Sequence, residues 1–316
     1  MPGELDAERR QLNGARAAST LHRAAPAWFR RALTVPCGHG TVEVEGRGVH
    51  YLQWGEPARR GLVFVHGGGA HAHWWTHVAA TFAGEFRVAA IDLSGHGDSG
   101  HREEYDPEQW ADEVVAVAAD AGIDGLPVVI GHSMGGFITI VTAARHPDEV
   151  AGVIVCDSPV TEADPEVSAH DAFGRPRTYP AVEDAVARFR TVPPQEHYLD
   201  YVVDFVARHS LKEVDGGWQW KFDRRIFEQF GRGVRGLAVP YLTQVDCRLA
   251  LLRSEHGLVT PEIGAFMFEK LGRVTPVIEI PEAGHHAMLD QPLMLLTALR
   301  TLLADWDHSD PHRRAT

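Results

Sequence analysis

Leu126-Pro127-Val128-Val129-Ile130 leads into Gly131-His132-Ser133-Met134-Gly135, and then into Gly136-Phe137-Ile138-Thr139-Ile140-Val141-Thr142-Ala143-Ala144. The first run is apolar and reads as a buried strand; the last reads as a helix. A serine on the turn between them holds its hydroxyl up from the end of a sheet. This is Gly-x-Ser-x-Gly in the strand–turn–helix context that the motif requires, which makes Ser133 a candidate nucleophile. The competing reading is a glycine-rich turn with an incidental serine, because the pentapeptide alone is common by chance. Its neighbourhood and the partners found further along the chain favour the nucleophile.

A serine hydroxyl is a weak nucleophile at neutral pH and needs a base, which in turn needs an orienting group. The chain has 19 histidines, so position has to select the base. His285, in Ala283-Gly284-His285-His286-Ala287, follows the last strand and precedes the last helix, with His286 as second choice. For the acid, Asp157 directly follows the Gly152-Val153-Ile154-Val155-Cys156 strand, and Glu255 follows a later one. Either could orient the imidazole. Asp157 ahead of Ser158-Pro159 could otherwise serve a turn, and Glu255 could be an exposed loop acid. Charge developing on a carbonyl oxygen needs two backbone N–H donors, each worth about 2.7–4 kcal/mol. Met134 N–H supplies one; Gly68 N–H, in His66-Gly67-Gly68-Gly69, supplies the other, glycine allowing close backbone approach. That run lacks the Lys-Ser/Thr ending of a phosphate loop and the acid of a dinucleotide fold.

His66, His71, His73 and His77, with Asp92 and His96, invite a metal reading. Their spacing matches no zinc motif and a serine nucleophile needs no metal, so the expectation is no metal and no cofactor. Trp74 and Trp75 are expected to line or close the pocket, with Trp74 and His132 as substrate-binding residues.

Outward from the serine, apolar strands alternate with amphipathic helices. Leu62–Val65, Phe86–Ile91, Val128–Ile130, Gly152–Cys156, Arg248–Leu252 and Val274–Ile280 read as strands. Thr76–Phe82, Pro107–Ala121, Pro261–Lys270 and Met294–Ala304 read as helices. Such a pattern indicates a mostly parallel sheet covered on both faces. Thr41–Glu45 and Val49–Trp54 precede it as antiparallel strands. From 160 to 243 the alternation stops; Ala181–Phe189, Tyr198–Arg208 and Arg224–Phe230 read as a helical insertion. The domains are thus an arm at 1–38, a core at 39–159 and 244–308, and a helical cap at 160–243. Cap aromatics Phe173, Tyr179, Phe189, Tyr198, Trp218 and Trp220 suit an apolar pocket or a lid packing on itself. The arm, with two short helices, packs on its own domain or on a second subunit, which allows a homodimer. A membrane-surface helix is the sharper alternative.

The chain has 316 residues, 44% hydrophobic and 23% charged, as in a globular protein with one domain of roughly 250 residues plus an insertion. A net charge of −13 disfavours nucleic acid and anionic membrane as partners. Three cysteines without a Cys-x-x-Cys pair argue against a disulfide framework, and a reducing cytoplasm fits. Neither a membrane span nor a signal peptide is expected.

The chain resembles the α/β-hydrolase superfamily through His66-Gly67-Gly68-Gly69 with Trp74-Trp75, Asp92-Leu93-Ser94-Gly95-His96-Gly97-Asp98-Ser99, Gly131–Gly136 and Gly284-His285, in the family's order. The resemblance covers about residues 41 to 305. It implies Ser133 as nucleophile, His285 as base, and the insertion as a cap over the site. One departure matters: where many relatives carry an aspartate after the penultimate strand, Ser254-Glu255-His256-Gly257 carries a glycine. A minority, including some zearalenone-type lactonases, takes the acid from the strand before the cap, which favours Asp157. Serine at the elbow argues against haloalkane dehalogenases and epoxide hydrolases. The resulting expectation is a cofactor-independent serine hydrolase acting on a small-molecule carboxylic ester or lactone. The alternatives are carbon–carbon bond hydrolysis, acyl transfer, or a ligand-binding protein that keeps the fold without turnover.

Overall fold

The computed structural model describes residues 24–162, 177–230 and 234–309. In chain order the strands are β1 (Gly38–Val44), β2 (Arg47–Trp54), β3 (Gly61–Val65), β4 (Arg87–Ile91), β5 (Val128–His132), β6 (Gly152–Cys156), β7 (Leu211–Val214), β8 (Gly217–Trp220), β9 (Arg248–His256) and β10 (Val277–Gly284). The helices are α1 (Ala27–Thr34), α2 (Thr76–Ala79), α3 (Pro107–Asp120), α4 (Met134–Arg145), α5 (Val182–Val186), α6 (Asp200–His209), α7 (Arg225–Phe230), α8 (Val234–Leu242), α9 (Pro261–Lys270), α10 (Ala287–Asp290) and α11 (Pro292–His308).

Eight strands form one sheet in the order β1-β2-β4-β3-β5-β6-β9-β10. β1 and β2 pair antiparallel, as do β2 and β4; β4, β3, β5, β6, β9 and β10 run parallel. The parallel strands read as unbroken apolar runs because the pleat sends alternate residues into two cores. Leu62 and Phe64 of β3 pack with Phe29 of α1, Val78 of α2 and Leu299 of α11. Val63 and Val65 pack on the other face with Trp110 and Val114 of α3 and Ile138 of α4. Burying each such side chain contributes about 1.5–3 kcal/mol, so both helix layers are held by the same strands.

Local signals set the helix starts. Asp106 caps α3 by accepting the Glu108 N–H at 2.7 Å, and Thr260 caps α9 by accepting from Ile263 at 3.3 Å. Each is followed by proline at the first helical position, where the missing N–H costs nothing. Of the arm, residues 1–23 lie outside the described residues, while α1 packs on its own chain. Phe29 is fully buried, with its ring 4.9 Å from Tyr201 and 6.0 Å from Phe205, both on α6.

The insertion between β6 and β9 differs in one respect from a purely helical cap. Besides α5 to α8 it contains the β7–β8 hairpin. Its two-residue turn, Asp215-Gly216, has Gly216 at a positive φ of 82°, which suits a tight hairpin. The expected strand from Val274 begins instead at Val277, after Pro276, which has no N–H to give a ladder, and β10 continues to Gly284 through a register shift after Ile280. Among the described residues, no helix is long and apolar enough to cross a membrane.

Candidate active site

β3, β5, β6 and β10 end at the same edge of the sheet, where open α/β folds bind ligands. His66, Ser133, Asp157 and His285 each follow one of these strands. Strand register sets two of them side by side. His132 of β5 faces Cys156 of β6, so Ser133 and Asp157 are the next residues out, and Ser133 N–H donates to Cys156 C=O at 3.0 Å.

Ser133 has φ 54° and ψ −123°, a conformation that L-residues seldom adopt and that costs of order 1–3 kcal/mol. The elbow is tight on both sides. A Cβ on Gly131 would lie 2.2 Å from Gly135 O, and one on Gly135 would lie 2.3 Å from His66 O. Ser133 occupies the N-cap position of α4, yet the hydroxyl that could cap the helix is donated to His285 Nε2 at 2.9 Å. His285 Nδ1–H donates to Asp157 Oδ2 at 2.7 Å. His285 and Asp157 are each 2% exposed.

Asp157, also at positive φ (43°), accepts three more hydrogen bonds, from the N–H groups of Ser254, Leu258 and Val259 at 3.1, 2.7 and 3.2 Å. Burial works to raise its pKa. The bond to and charge of His285 and these amides outweigh it and hold the carboxyl below the usual carboxylate range. Glu255 points elsewhere: it is exposed and accepts Glu282 N–H at 2.8 Å. Gly257 lies against the acid, since a Cβ there would stand 2.3 Å from Asp157 Oδ2.

Met134 N–H opens α4 directly after Ser133 and has no intrahelical acceptor. Gly68 lies beside it; a Cβ on Gly68 would be 3.9 Å from Met134 Cβ. The peptide between Gly67 and Gly68 is oriented by His66, a residue whose part was not visible in the sequence. Leu93 N–H donates to His66 Nε2 at 3.1 Å, which leaves Nδ1–H to donate to Gly67 C=O at 2.7 Å. Ala70 N–H donates to the same carbonyl at 3.2 Å. With that C=O held, the trans peptide aims the Gly68 N–H the opposite way.

His132, expected against substrate, is 2% exposed, and its Nε2–H donates to His285 C=O at 2.8 Å. Burial, then the neighbouring His285, lowers its pKa to about 3. Trp74 lies under the cap, its ring 6.1 Å from Phe189 and 5.4 Å from His286. Trp75, expected to line or close the pocket, is instead fully buried against Phe64, ring centroids 5.0 Å apart, because its side chain enters the core beneath the loop. Phe173 lies outside the described residues. Tyr179 and Phe189 each pack on Trp220, and Tyr198 bonds Thr191 and Gln195. The histidines around the Gly-rich loop are bonded one by one: His71 bonds Ser210 Oγ and His77 bonds Met288 C=O, while the rings of His71 and His73 lie 5.9 Å apart and those of His66 and His96 4.7 Å apart. Asp92 accepts from His50 and from the N–H groups of Ala72 and Asp98. A groove of about 1060 Å³ lies elsewhere, between α1, the β1–β2 pair and α6, with His39, His73 and Arg87 among its lining.

The loop that carries His285 is tied to the cap. Gln195 Oε1 accepts His286 N–H at 2.8 Å, and Gln195 Nε2 donates to Asp290 Oδ2 at 2.9 Å, which also accepts Gly284 N–H at 2.6 Å. Gln195→Ala is expected to lower kcat by about tenfold to a hundredfold as the imidazole loses alignment, with KM less affected. Steady-state kinetics beside a thermal melt check this: a lowered melting temperature with unchanged kcat would leave Gln195 a purely structural part.

Residues 62–298 match the alpha/beta hydrolase family. The chain is 27% identical over 279 residues to esterase Rv0045c of Mycobacterium tuberculosis, covering 82% of this chain and 88% of that protein. It is 24% identical over 249 residues to the 2-(acetamidomethylene)succinate hydrolase of Mesorhizobium japonicum, covering 77% and 87%. The crystal structure of an E-2-(acetamidomethylene)succinate hydrolase superposes with a TM-score of 0.75 at 22% identity, over 85% of this chain and 100% of the other. The thioesterase domain from the curacin biosynthetic pathway superposes with a TM-score of 0.71 at 21% identity, over 84% and 99%. A match across most of the core, with the strand order and the elbow described above, means that the chain belongs to the alpha/beta hydrolase family.

Proposed function

We propose that this protein is a cofactor-independent serine hydrolase that cleaves a carboxylic ester or lactone through an acyl-enzyme. The observation that carries this reading is the continuous relay Ser133–His285–Asp157, with links of 2.9 and 2.7 Å, at the carboxyl edge of the sheet. Similarity to an esterase along most of both chains supports the ester class.

Ser133 Oγ attacks the carbonyl carbon while His285 Nε2 takes its proton. The Asp157 carboxylate holds the imidazole in the tautomer that leaves Nε2 bare, and stabilises the imidazolium that forms. The oxyanion accepts hydrogen bonds from Gly68 and Met134 N–H. Collapse of the tetrahedral species breaks the bond to the leaving alkoxide, which receives the proton from His285. Water then attacks the acyl carbon, His285 takes its proton, and that proton returns to Ser133 Oγ as the acid leaves.

A fluorophosphonate probe tests the reading without knowledge of the substrate. Ser133 Oγ is expected to attack phosphorus and expel fluoride, giving one adduct per chain that peptide mass spectrometry locates on Ser133. Folded protein that stays unlabelled, or that carries the label elsewhere, overturns it.

A further inference from the structure

Three histidines meet behind the elbow. One ring nitrogen from each of His132, His285 and His286 lies within 4.8 Å of those of the other two, and all three residues are buried. Ring centroids are 4.6 Å apart for His132–His285 and for His285–His286, and 5.3 Å for His132–His286.

A neutral imidazole carries one N–H and one lone pair. Here each N–H has an acceptor. His285 Nδ1–H goes to Asp157 Oδ2 at 2.7 Å, His132 Nε2–H to His285 C=O at 2.8 Å, and His286 Nε2–H to Pro193 C=O at 3.2 Å. The lone pairs therefore remain at His132 Nδ1, His285 Nε2 and His286 Nδ1. Ser133 Oγ–H reaches His285 Nε2. His286 Nδ1 is buried, in a residue only 5% exposed, without a hydrogen-bond partner among the described residues. A buried nitrogen left without a partner is costly, so a group that accepts its lone pair is favoured there. Three imidazoles, each oriented by a carboxylate or carbonyl on its far nitrogen, are what histidine metal ligands require on both sides of the ring.

We propose that a zinc-class transition-metal ion binds His132, His285 and His286 and reversibly inhibits the enzyme by occupying the lone pair that His285 Nε2 uses to activate Ser133. This rests on the serine-hydrolase reading for its consequence, though not for the site. The ion is an inhibitor, not a cofactor. Zn–N bonds of about 2.0–2.1 Å in tetrahedral geometry set ligand nitrogens about 3.4 Å apart, so the rings close inward by up to about 1.4 Å. Imidazole nitrogens select zinc, cobalt, nickel or copper over magnesium and calcium, which take oxygen ligands.

Calorimetric titration of the whole chain with zinc chloride tests the site, and zinc inhibition of p-nitrophenyl butyrate hydrolysis tests its consequence. One ion per chain is expected in the native protein and in Ser133→Ala, and magnesium chloride is expected to give no binding heat. His286→Asn and His286→Ala are expected to weaken zinc binding at least about tenfold, the lower end of what losing even an outer partner of a ligand costs. The half-inhibitory concentration, read against each variant's own zinc-free rate, should rise in step. Thermal melts identify a variant that fails to fold, and the second substitution then carries the comparison. Unchanged zinc affinity in a folded His286 variant, or folded native protein and Ser133→Ala that bind no zinc, overturns the site. Zinc binding by a protein that hydrolyses no ester supports the site and overturns the hydrolase reading instead.

Discussion

Ser133→Ala is expected to lower kcat/KM for ester hydrolysis by about 10⁴- to 10⁶-fold, the range seen when a serine nucleophile is removed. The larger figure corresponds to about 8 kcal/mol of lost transition-state stabilisation. Residual hydrolysis would come from the Gly68 and Met134 amides and from binding, which the substitution leaves in place. Alanine keeps the Cβ, so the φ 54° of the elbow stays strained and the fold should melt where the native protein does. Ser133→Gly separates the two properties: equally inactive, it relieves the positive φ and should gain of order 1 kcal/mol in stability. Initial rates on a short p-nitrophenyl ester with matched melting curves check both. Hydrolysis by folded Ser133→Ala within tenfold of the native protein would remove Ser133 from the mechanism.

The serine was legible because its evidence is local: a strand buried on both faces, glycines two residues to either side, and a helix. His285 was legible by position after the last strand; for the acid, position left Asp157 and Glu255 both open, and the resemblance favoured Asp157. Residues that orient these groups left no such signal. Gln195 reaches His286 across 91 residues of sequence, and His66 reaches Leu93 across 27, so neither bond is marked by spacing or by residue type. His132 was legible as a site neighbour, but the direction of its ring depends on the His285 carbonyl, 153 residues away. In the cap, the Asp215-Gly216 turn marks the β7–β8 hairpin, but its strands of four residues each are too short to stand out beside the helices around them, and Pro240 inside α8 masks that helix. The end of β10 was hidden because Pro281 and Glu282 interrupt its apolar run where the register shifts.

Asp157→Asn is expected to lower kcat by about 10³- to 10⁴-fold, because an amide facing His285 Nδ1 favours the wrong tautomer of the base. Glu255→Gln should stay within about twofold, since Glu255 is exposed and bonds only Glu282 N–H among the described residues. The stronger test uses Gly257, which stands where many relatives keep the acid. A side chain there would enter the space that the Asp157 carboxylate fills, its Cβ 2.3 Å from Oδ2. Gly257→Asp alone should therefore lose both stability and activity, as two carboxylates cannot share one site. In an Asp157→Ala background the clash and the repulsion vanish together. The φ of Gly257 lies outside the left-handed range, so the backbone accepts the substitution. The double variant is then expected to recover at least about tenfold in kcat over Asp157→Ala, each change being harmful alone and the second helpful after the first. The four proteins, compared in kcat and in melting temperature, decide the matter. If the double variant folds and is no faster than Asp157→Ala, then the carboxylate's place on the β6 end, and not merely its presence beside His285, is what the base requires.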